Sequence, residues 1–264
     1  MDLELRGKTV LVTGGSKGIG YAIAEQMAAE GCNVILVARS LTDLESARGE
    51  ILAKYPGRQV VVHAADLTAD GAVEELSRKF SNVDILVNNA GAIRHGALHE
   101  VDAPTWQKYW DLKVFGYINL TRAYYAIMKA RHKGVIINII GIGGERLSSD
   151  YIAGGSGNAA LIGFTKSLGG SSPADGIRVI GVNPGPVLTD KLKLTLRSDA
   201  QAKLGDAERW PELVASMPFG RTIRPVEISS LVAFLASELS GYTSGTVFNI
   251  DGGSLFRPRA SHQL

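Results

Sequence analysis

The chain has a single cysteine, Cys32, among 264 residues, so no disulfide can form within it. A lone thiol at the entry to an apolar run is typical of a buried, unreactive cysteine. Proteins without disulfides are usual in reducing compartments, so the sequence predicts a cytoplasmic protein. The first residues, MDLELRGKTVLVTGG, lead directly into a strand pattern and lack the apolar stretch of a signal peptide, so none is expected.

Long apolar runs and an excess of one charge are also missing. No stretch approaches the ~18 consecutive apolar residues that a membrane span requires. The 28 basic and 26 acidic residues are spread along the chain and leave a formal charge of +2. Because no basic block stands out, neither nucleic acid nor a membrane is expected as a partner. With 45% apolar and 20% charged residues, the composition is that of a globular protein with a substantial core.

The sequence does contain a regular alternation of short β-branched runs and longer helical patterns. The predicted strands are Val10–Thr13, Val34–Val37, Val60–His63, Ile85–Asn88, Val135–Ile139, Val179–Val182 and Thr246–Ile250. Helical spacing is clearest in Ile19–Ala29, Asp43–Lys54, Gly71–Lys79 and Val226–Ala236. The strands are apolar almost throughout, as in parallel strands that are covered on both faces. This order predicts an α/β fold of the Rossmann type, with a doubly wound, seven-stranded parallel sheet between helices.

No repeat, low-complexity segment or linker marks a second domain, so residues 1–264 are expected to form one dinucleotide-binding domain. Two segments interrupt the alternation. Residues 189–218 are rich in charge, and this length predicts an insertion that covers a substrate, with a solvated loop as the alternative. The tail, residues 256–264, is predicted to be either disordered or docked on a neighbouring subunit.

The loop after the first strand, Thr13-Gly-Gly-Ser-Lys-Gly-Ile-Gly20, leads into a helical pattern. Glycines let the backbone turn tightly and approach a pyrophosphate, and the helix N-terminus offers free N–H groups to it. The spacing differs from the commoner G-x-G-x-x-G fingerprint. The strand–loop–helix context favours a dinucleotide site over a structural turn. The predicted contacts in this loop are Gly14, Ser16, Lys17, Gly18, Ile19 and Gly20.

This spacing resembles the short-chain dehydrogenase/reductase family, nearest its 3-ketoacyl reductase-like branch. Further segments match in order: Asp66-Leu67, Asn88-Asn-Ala-Gly91, Asn183-Pro-Gly-Pro-Val187 with Thr189, Tyr242–Gly245 and Asp251–Gly253. The resemblance implies additional cofactor contacts at Asp66, Leu67, Asn89, Ala90, Gly91, Pro184, Gly185, Val187 and Thr189. It also implies a small-molecule substrate. A homodimer or homotetramer is implied as well, packed in part through the aromatic-rich helix predicted over Thr105–Ala130.

The end of the second predicted strand carries no carboxylate, whereas NAD-binding proteins place an acidic residue there for the ribose hydroxyls. In this chain Arg39 and Ser40 follow Val37-Ala38. Arg39, together with Lys17 of the glycine loop, is placed to bind a 2′-phosphate. The alternative is that both are ordinary surface cations. The sequence therefore predicts NADP(H) in preference to NAD(H).

The resemblance also implies four catalytic positions, and none of them holds the family's residue. The family uses a Tyr as acid and base, a Lys four residues later that lowers the pKa of the Tyr, a Ser that orients the carbonyl and an Asn in a proton relay. In this sequence the matched positions hold Gly154, Asn158, Gly141 and Lys113, although the flanking residues match without a gap. Asn158 is still expected to contact a ribose hydroxyl, but it carries no charge.

Three other side chains are candidates for the missing chemistry. Tyr151 precedes Gly154 by one helical turn, Lys113 brings an ammonium on a long stem, and His95 follows Asn89-Ala90-Gly91 on the loop that borders the family's substrate pocket. Each has an alternative to a catalytic role. Tyr151 is then a core tyrosine, Lys113 a cofactor or ligand contact, and His95 an exposed loop histidine. Glu145 and Arg146, after the fifth strand, are either close to the pocket mouth or a solvated charge pair. No metal site is predicted.

Two functions remain open. The first is an NADP(H)-dependent oxidoreductase that acts on CH–OH and C=O groups by non-standard chemistry, because hydride transfer is supplied by the cofactor. The second is a catalytically silent protein that binds the dinucleotide as a sensor, a scaffold or a partner subunit. The cofactor segments favour retained binding under both functions.

Overall fold

The computed structural model describes residues 2–91 and 93–257. Its strands form one seven-stranded sheet in the order β3-β2-β1-β4-β5-β6-β7, and all neighbouring strands run parallel. The strands are β1 Thr9–Thr13, β2 Asn33–Ala38, β3 Val60–Ala64, β4 Ile85–Asn88, β5 Gly134–Ile139, β6 Ile177–Pro184 and β7 Val247–Ile250. The predicted fold class is confirmed, and each predicted strand end falls within two residues of the observed one.

Helices pack on both faces of this sheet. They are α1 Gly18–Ala29, α2 Leu41–Lys54, α3 Ala72–Lys79, α4 Ala103–Trp110, α5 Gly116–Ala130, α6 Ile152–Ser171, α7 Asp190–Leu204, α8 Trp210–Val214 and α9 Pro225–Ala236. Successive side chains of a strand point to opposite faces. In β1, Val10 and Val12 join the apolar core beneath α1, α2 and α9, whereas Leu11 joins the core beneath α3 and α5. Burial on both faces is why the strands are apolar without alternation.

One wide turn, Asp111–Phe115, joins α4 to α5 as π-helix, so residues 103–130 form a continuous helical stretch. The predicted helix over Thr105–Ala130 corresponds to this stretch. Turns of this kind are frequent at functional sites. Just before it, Trp110 Nε1 donates a hydrogen bond of 3.0 Å to the Ala153 carbonyl in the first turn of α6. The two helices are therefore tied together close to Lys113.

The segment 189–218 contains α7 and α8 and is largely helical, unlike the solvated loop considered from its sequence. Thr189 caps α7 by accepting a hydrogen bond of 3.3 Å from the Leu192 amide. Leu196 and Ala200, one turn apart, are the residues that α7 buries. Residues 258–264 of the tail lie outside the described residues. None of the helices within 2–91 and 93–257 has the length and apolar character needed to cross a membrane.

Candidate functional site

The candidate site is a crevice at the carboxyl ends of the strands, where β1 lies between β2 and β4. At this point the connections leave in opposite directions, and ligands of open α/β sheets bind there. A cavity of about 550 Å³ occupies part of the crevice. It is lined by Gly14, Ser16, Val37, Ala38, Arg39, Ser40, Asp43, Ala65, Leu67, Ala90, Gly91 and Leu112.

The glycine loop needs its glycines for both conformation and space. Gly14 and Gly18 have φ values of +64° and +59°, in the left-handed region. A Cβ at Gly20 would overlap the Gly14 carbonyl oxygen. Thr13 Oγ1 accepts hydrogen bonds from the Asn89 amide at 2.9 Å and the Ala90 amide at 3.0 Å. The loop after β4 therefore holds the glycine loop in place without any ligand.

Two features of the crevice fit a dinucleotide. Lys17 is the N-cap of α1, and no side chain of the described residues caps the first turn of this helix, which leaves N–H groups for a pyrophosphate. At the other end, Asn158 Oδ1 is buried and accepts no hydrogen bond within residues 2–91 and 93–257. A ribose hydroxyl is a donor that would satisfy this oxygen.

The charged residues of the crevice include one that the sequence analysis missed. Lys17 Nζ lies 2.8 Å from Asp43 Oδ2, and this contact holds the pKa of Asp43 below its usual value. Asp43 follows the α2 N-cap Ser40, whose Oγ accepts a hydrogen bond from the Asp43 amide at 3.2 Å. Arg39 is exposed and forms no ion pair with any carboxylate of the described chain. Of the two predicted phosphate ligands, Arg39 is therefore available and Lys17 is shared with Asp43.

The remaining predicted cofactor contacts surround the crevice. Asp66 Oδ1 accepts hydrogen bonds of 3.0 and 2.7 Å from the amide and hydroxyl of Thr68, and these bonds lower the pKa of Asp66. Thr189 packs against the glycine loop, because its Cγ2 would lie 3.1 Å from a Cβ at Gly18. The Gly185 amide donates a hydrogen bond of 2.9 Å to the Ile250 carbonyl, which fixes the segment after β6.

The phenol ring of Tyr151 lies across Gly154. A Cβ at Gly154 would overlap the Tyr151 Cζ, and a Cβ at Gly143 would lie 2.9 Å from Cε1 of the same ring. The absence of side chains at Gly143 and Gly154 thus makes room for the phenol. Burial raises the pKa of Tyr151, and the neighbouring Asn158 side chain partly offsets this rise. Asn158 Nδ2 would also lie 3.0 Å from a Cβ at Gly141, so Asn158 adjoins both Gly141 and Tyr151.

His95 is the second candidate in this cluster. Its ring centroid lies 4.7 Å from that of Tyr151, with the two planes tilted by 34°. The loop that carries His95 is fixed to the segment before α6, since the Gly96 amide donates a hydrogen bond of 2.7 Å to the Asp150 carbonyl. The structure therefore brings Tyr151, His95 and Asn158 together.

Lys113 lies beneath the crevice and binds protein atoms. Its ammonium donates hydrogen bonds of 2.7 Å to the Ile139 carbonyl and 2.9 Å to the Tyr117 hydroxyl. The side chain is only 7% exposed, and burial lowers its pKa to about 7. Its stem runs under Gly91, where a Cβ would lie 3.1 Å from the Lys113 Cα. The third candidate thus contacts the end of β5 rather than the phenol of Tyr151.

Glu145 binds two amides instead of forming a charge pair with Arg146. Its carboxylate accepts hydrogen bonds of 3.2 Å from Asn183 Nδ2 and 3.1 Å from Asn249 Nδ2. These contacts tie the loop after β5 to β6 and β7. No group of three or more His, Cys, Asp or Glu side chains among the described residues is arranged to hold a metal ion.

The chain is similar to a family model described as short chain dehydrogenase over residues 8–199. It is 32% identical to D-beta-hydroxybutyrate dehydrogenase of Cupriavidus necator over 257 residues, covering 94% of this chain and 98% of that one. It is 33% identical to 3-oxoacyl-[acyl-carrier-protein] reductase FabG of Escherichia coli over 255 residues, covering 95% of this chain and 98% of that one.

A solved structure shows the same similarity in three dimensions. L-sorbose reductase of Gluconobacter frateurii, complexed with NADPH and L-sorbose, superimposes with a TM-score of 0.90 at 33% identity. The match covers 98% of this chain and 100% of the reductase. The shared fold thus extends over the whole crevice.

Proposed function

The chain belongs to the short chain dehydrogenase family, and from this premise we propose that it is an NADP(H)-dependent oxidoreductase without the family's usual catalytic tetrad. It acts on CH–OH and C=O groups, and Tyr151 is its acid and base. The observation that carries the proposal is the phenol of Tyr151 in the space above Gly154, beside Asn158. The names of the relatives, a hydroxybutyrate dehydrogenase and an oxoacyl reductase, support this class of reaction.

In this proposal the cofactor lies along the crevice, with its pyrophosphate at the N-terminus of α1 and its adenine near Asp66 and Leu67. Asn158 Oδ1 accepts from a ribose hydroxyl. When bound, the nicotinamide supplies or accepts the hydride. The other proposed contacts are Gly14, Ser16, Lys17, Gly18, Ile19, Gly20, Arg39, Ser40, Asn89, Ala90, Gly91, Pro184, Gly185, Val187 and Thr189. Support for NADP(H) comes from Arg39 and from the NADPH in the similar L-sorbose reductase.

Replacing Arg39 by alanine should weaken NADPH binding about 10- to 100-fold and leave NADH binding unchanged, because a charge-assisted hydrogen bond to the 2′-phosphate is lost. Lys17→Ala should have a smaller effect, since Lys17 is already paired with Asp43. Fluorescence titration with both nucleotides measures this. Arg48→Ala is the control, because Arg48 pairs with Glu45 on α2. Tighter binding of NADH than of NADPH by the unaltered chain would contradict the assignment.

The chain's own residues provide the proton step. In reduction, the Tyr151 hydroxyl donates its proton to the carbonyl oxygen as the carbon receives the hydride, and the alcohol forms. In oxidation, the Tyr151 phenolate removes the hydroxyl proton as the hydride leaves the carbon. The Asn158 side chain and the His95 ring keep the phenol in place. Lys113 is a positioning residue that holds the end of β5 through the Ile139 carbonyl.

The pH dependence should differ between the two directions. Burial keeps the pKa of Tyr151 above its usual value of about 10, so the phenol is protonated at neutral pH. Carbonyl reduction needs this form and should be nearly constant between about pH 6 and 9. Alcohol oxidation needs the phenolate and should rise about tenfold per pH unit over the same range. Initial rates with NADPH and NADP⁺ measure both profiles, and an oxidation rate that levels off below about pH 8 would be inconsistent with Tyr151 as the base.

The second candidate function is a dinucleotide-binding sensor, scaffold or partner subunit that does not turn over. It is favoured by the raised pKa of Tyr151: burial raises it, the Asn158 side chain offsets only part of the rise, and no cation of the described residues lowers it. NADPH binding without reduction of any carbonyl in a broad panel would select this function. Under both functions we propose a homodimer or homotetramer. Support comes from Phe115, 44% exposed in the π-helical turn before α5.

A further inference from the structure

A second cavity, of about 650 Å³, lies between the loops that follow β5, β6 and β7. Arg146 lies just after the segment that carries Gly143, and Pro186 lies between Gly185 and Val187. The loops that line the cavity follow the same carboxyl ends of the strands as the crevice, and the loop after β5 also carries Gly143, which adjoins the Tyr151 ring. Its apolar walls are formed by Pro186, Met217, Pro218, Phe219, Ile223 and Ile250.

Two cations of this cavity have no carboxylate partner among the residues that the structure describes. Arg221 also lines it, but it forms a bidentate pair with Glu227, at 2.7 and 2.8 Å. Asp251 is likewise engaged, because it accepts hydrogen bonds from the Gly253 and Leu255 amides and the Ser254 hydroxyl. Arg146 and Arg257 form no ion pair within residues 2–91 and 93–257. Within the described residues, the Arg257 guanidinium is hydrogen-bonded at one nitrogen, which donates to the Ser216 carbonyl at 2.6 Å.

An exposed aromatic ring stands in the wall of the same cavity. Phe219 is 85% exposed and has φ +56°, a left-handed conformation that is unfavourable for a bulky residue. Its ring contacts the glycine segment after β7, since its Cε2 would lie 3.4 Å from a Cβ at Gly252. Strained residues of this kind cluster at ligand-binding sites. A flat ring at a cavity wall provides a packing surface for an apolar ligand.

We propose that this cavity binds the carboxylate of an apolar carboxylic acid. Arg146 and Arg257 bind the carboxylate, for which the guanidinium fork is well matched, and Phe219 and Met217 pack on the apolar part. The inference rests on the proposed function in one respect. If the chain is an oxidoreductase, the bound acid is its substrate, an oxo or hydroxy acid whose reacting carbon faces Tyr151. In a mostly apolar cavity, a small number of polar groups fixes the orientation of a small ligand.

The test is calorimetric titration of the full chain with 3-phenylpropionate and hexanoate, and with their neutral amides, without cofactor. The acids should bind at least about tenfold more tightly than the amides, because a neutral amide cannot form the charge-assisted hydrogen bonds that a carboxylate forms with Arg146 and Arg257. The Arg146→Gln, Arg257→Gln double variant should remove this difference. Arg131→Gln is the control, since Arg131 binds Asn82 on another surface of the chain.

Equal binding of acids and amides, or a preference that survives in the double variant, would overturn the proposal. Binding of an alkyl phosphate in preference to the acids would do so too. Because no cofactor is present, the result is independent of turnover. NADPH binding is measured in a separate titration. If the chain binds the acids but not NADPH, the proposed function is rejected. If it binds NADPH and turns over but shows no preference for the acids, only the cavity assignment is rejected.

Discussion

Replacing Tyr151 by phenylalanine should lower kcat for carbonyl reduction about 100- to 10,000-fold, the usual contribution of a positioned acid. The substitution removes one oxygen and leaves the ring in its place beside Gly143 and Gly154. NADPH affinity should therefore stay within about twofold. Steady-state rates and nucleotide titration separate the two effects. Tyr242→Phe is the matched control because the Tyr242 side chain is fully exposed, and a Tyr151→Phe rate within about threefold of the unaltered chain would exclude Tyr151 as the acid.

Moving the ring while keeping the phenol should have a similar effect. In Gly154→Ala the added methyl overlaps Tyr151 Cζ, so the ring has to leave its position. Turnover should fall even though alanine favours a helix over glycine by about 1 kcal/mol. Gly163→Ala, in the same helix, is the control, because a Cβ there would meet no atom of the described chain within 4 Å. Equal turnover of the two alanine variants would show that the position of the ring is unimportant.

Replacing Lys113 by methionine should raise the free energy of unfolding at pH 6 by about 2–4 kcal/mol, because it removes a buried charge without a counter-ion. The Tyr117 hydroxyl still donates to the Ile139 carbonyl at 2.9 Å, so no polar atom loses its last partner. Methionine has nearly the volume of the lysine stem. Urea unfolding of both proteins gives the difference.

The increase in the free energy of unfolding caused by Lys113→Met should become smaller as the pH rises. The pKa of Lys113 is about 7 in the folded chain and near 10.5 when exposed. Below pH 7 both states are protonated and the whole cost of the buried charge applies. Between about pH 7 and 10 the folded state has lost the proton that the unfolded state keeps, so the stability of the unaltered chain rises with pH. A gain that is equal at pH 6 and pH 9 would contradict a buried ammonium, and Lys108→Met on α4 should show no such dependence.

The strands could be predicted from the sequence because each is buried on both faces and therefore reads as a continuous apolar run. Helix α7 could not. It buries only Leu196 and Ala200, so most of its sequence is polar and resembles a solvated insertion. The glycine loop was recognisable because the close approach of Gly20 to Gly14 allows no side chain, and that requirement is visible in the residue type.

The arrangement of side chains in the candidate site could not be predicted from the sequence. The sequence places Tyr151 one turn before Gly154, but the direction of its ring depends on Gly143, which comes from a different segment. The pairing of Lys17 with Asp43 joins the N-termini of two helices and has no signature in either segment. Equally, the burial of Lys113 follows from its place in the wide turn beneath Gly91.

The glycine at position 154 also constrains which side chains this chain can carry at position 151. A side chain at 154 and the ring of Tyr151 would occupy the same volume, so the two tyrosines exclude each other. Introducing tyrosine at 154 alone should therefore displace one phenol instead of adding a second. The two positions are epistatic: the effect of a side chain at 154 depends on whether 151 carries a ring, because only a small residue at 151 leaves that volume free.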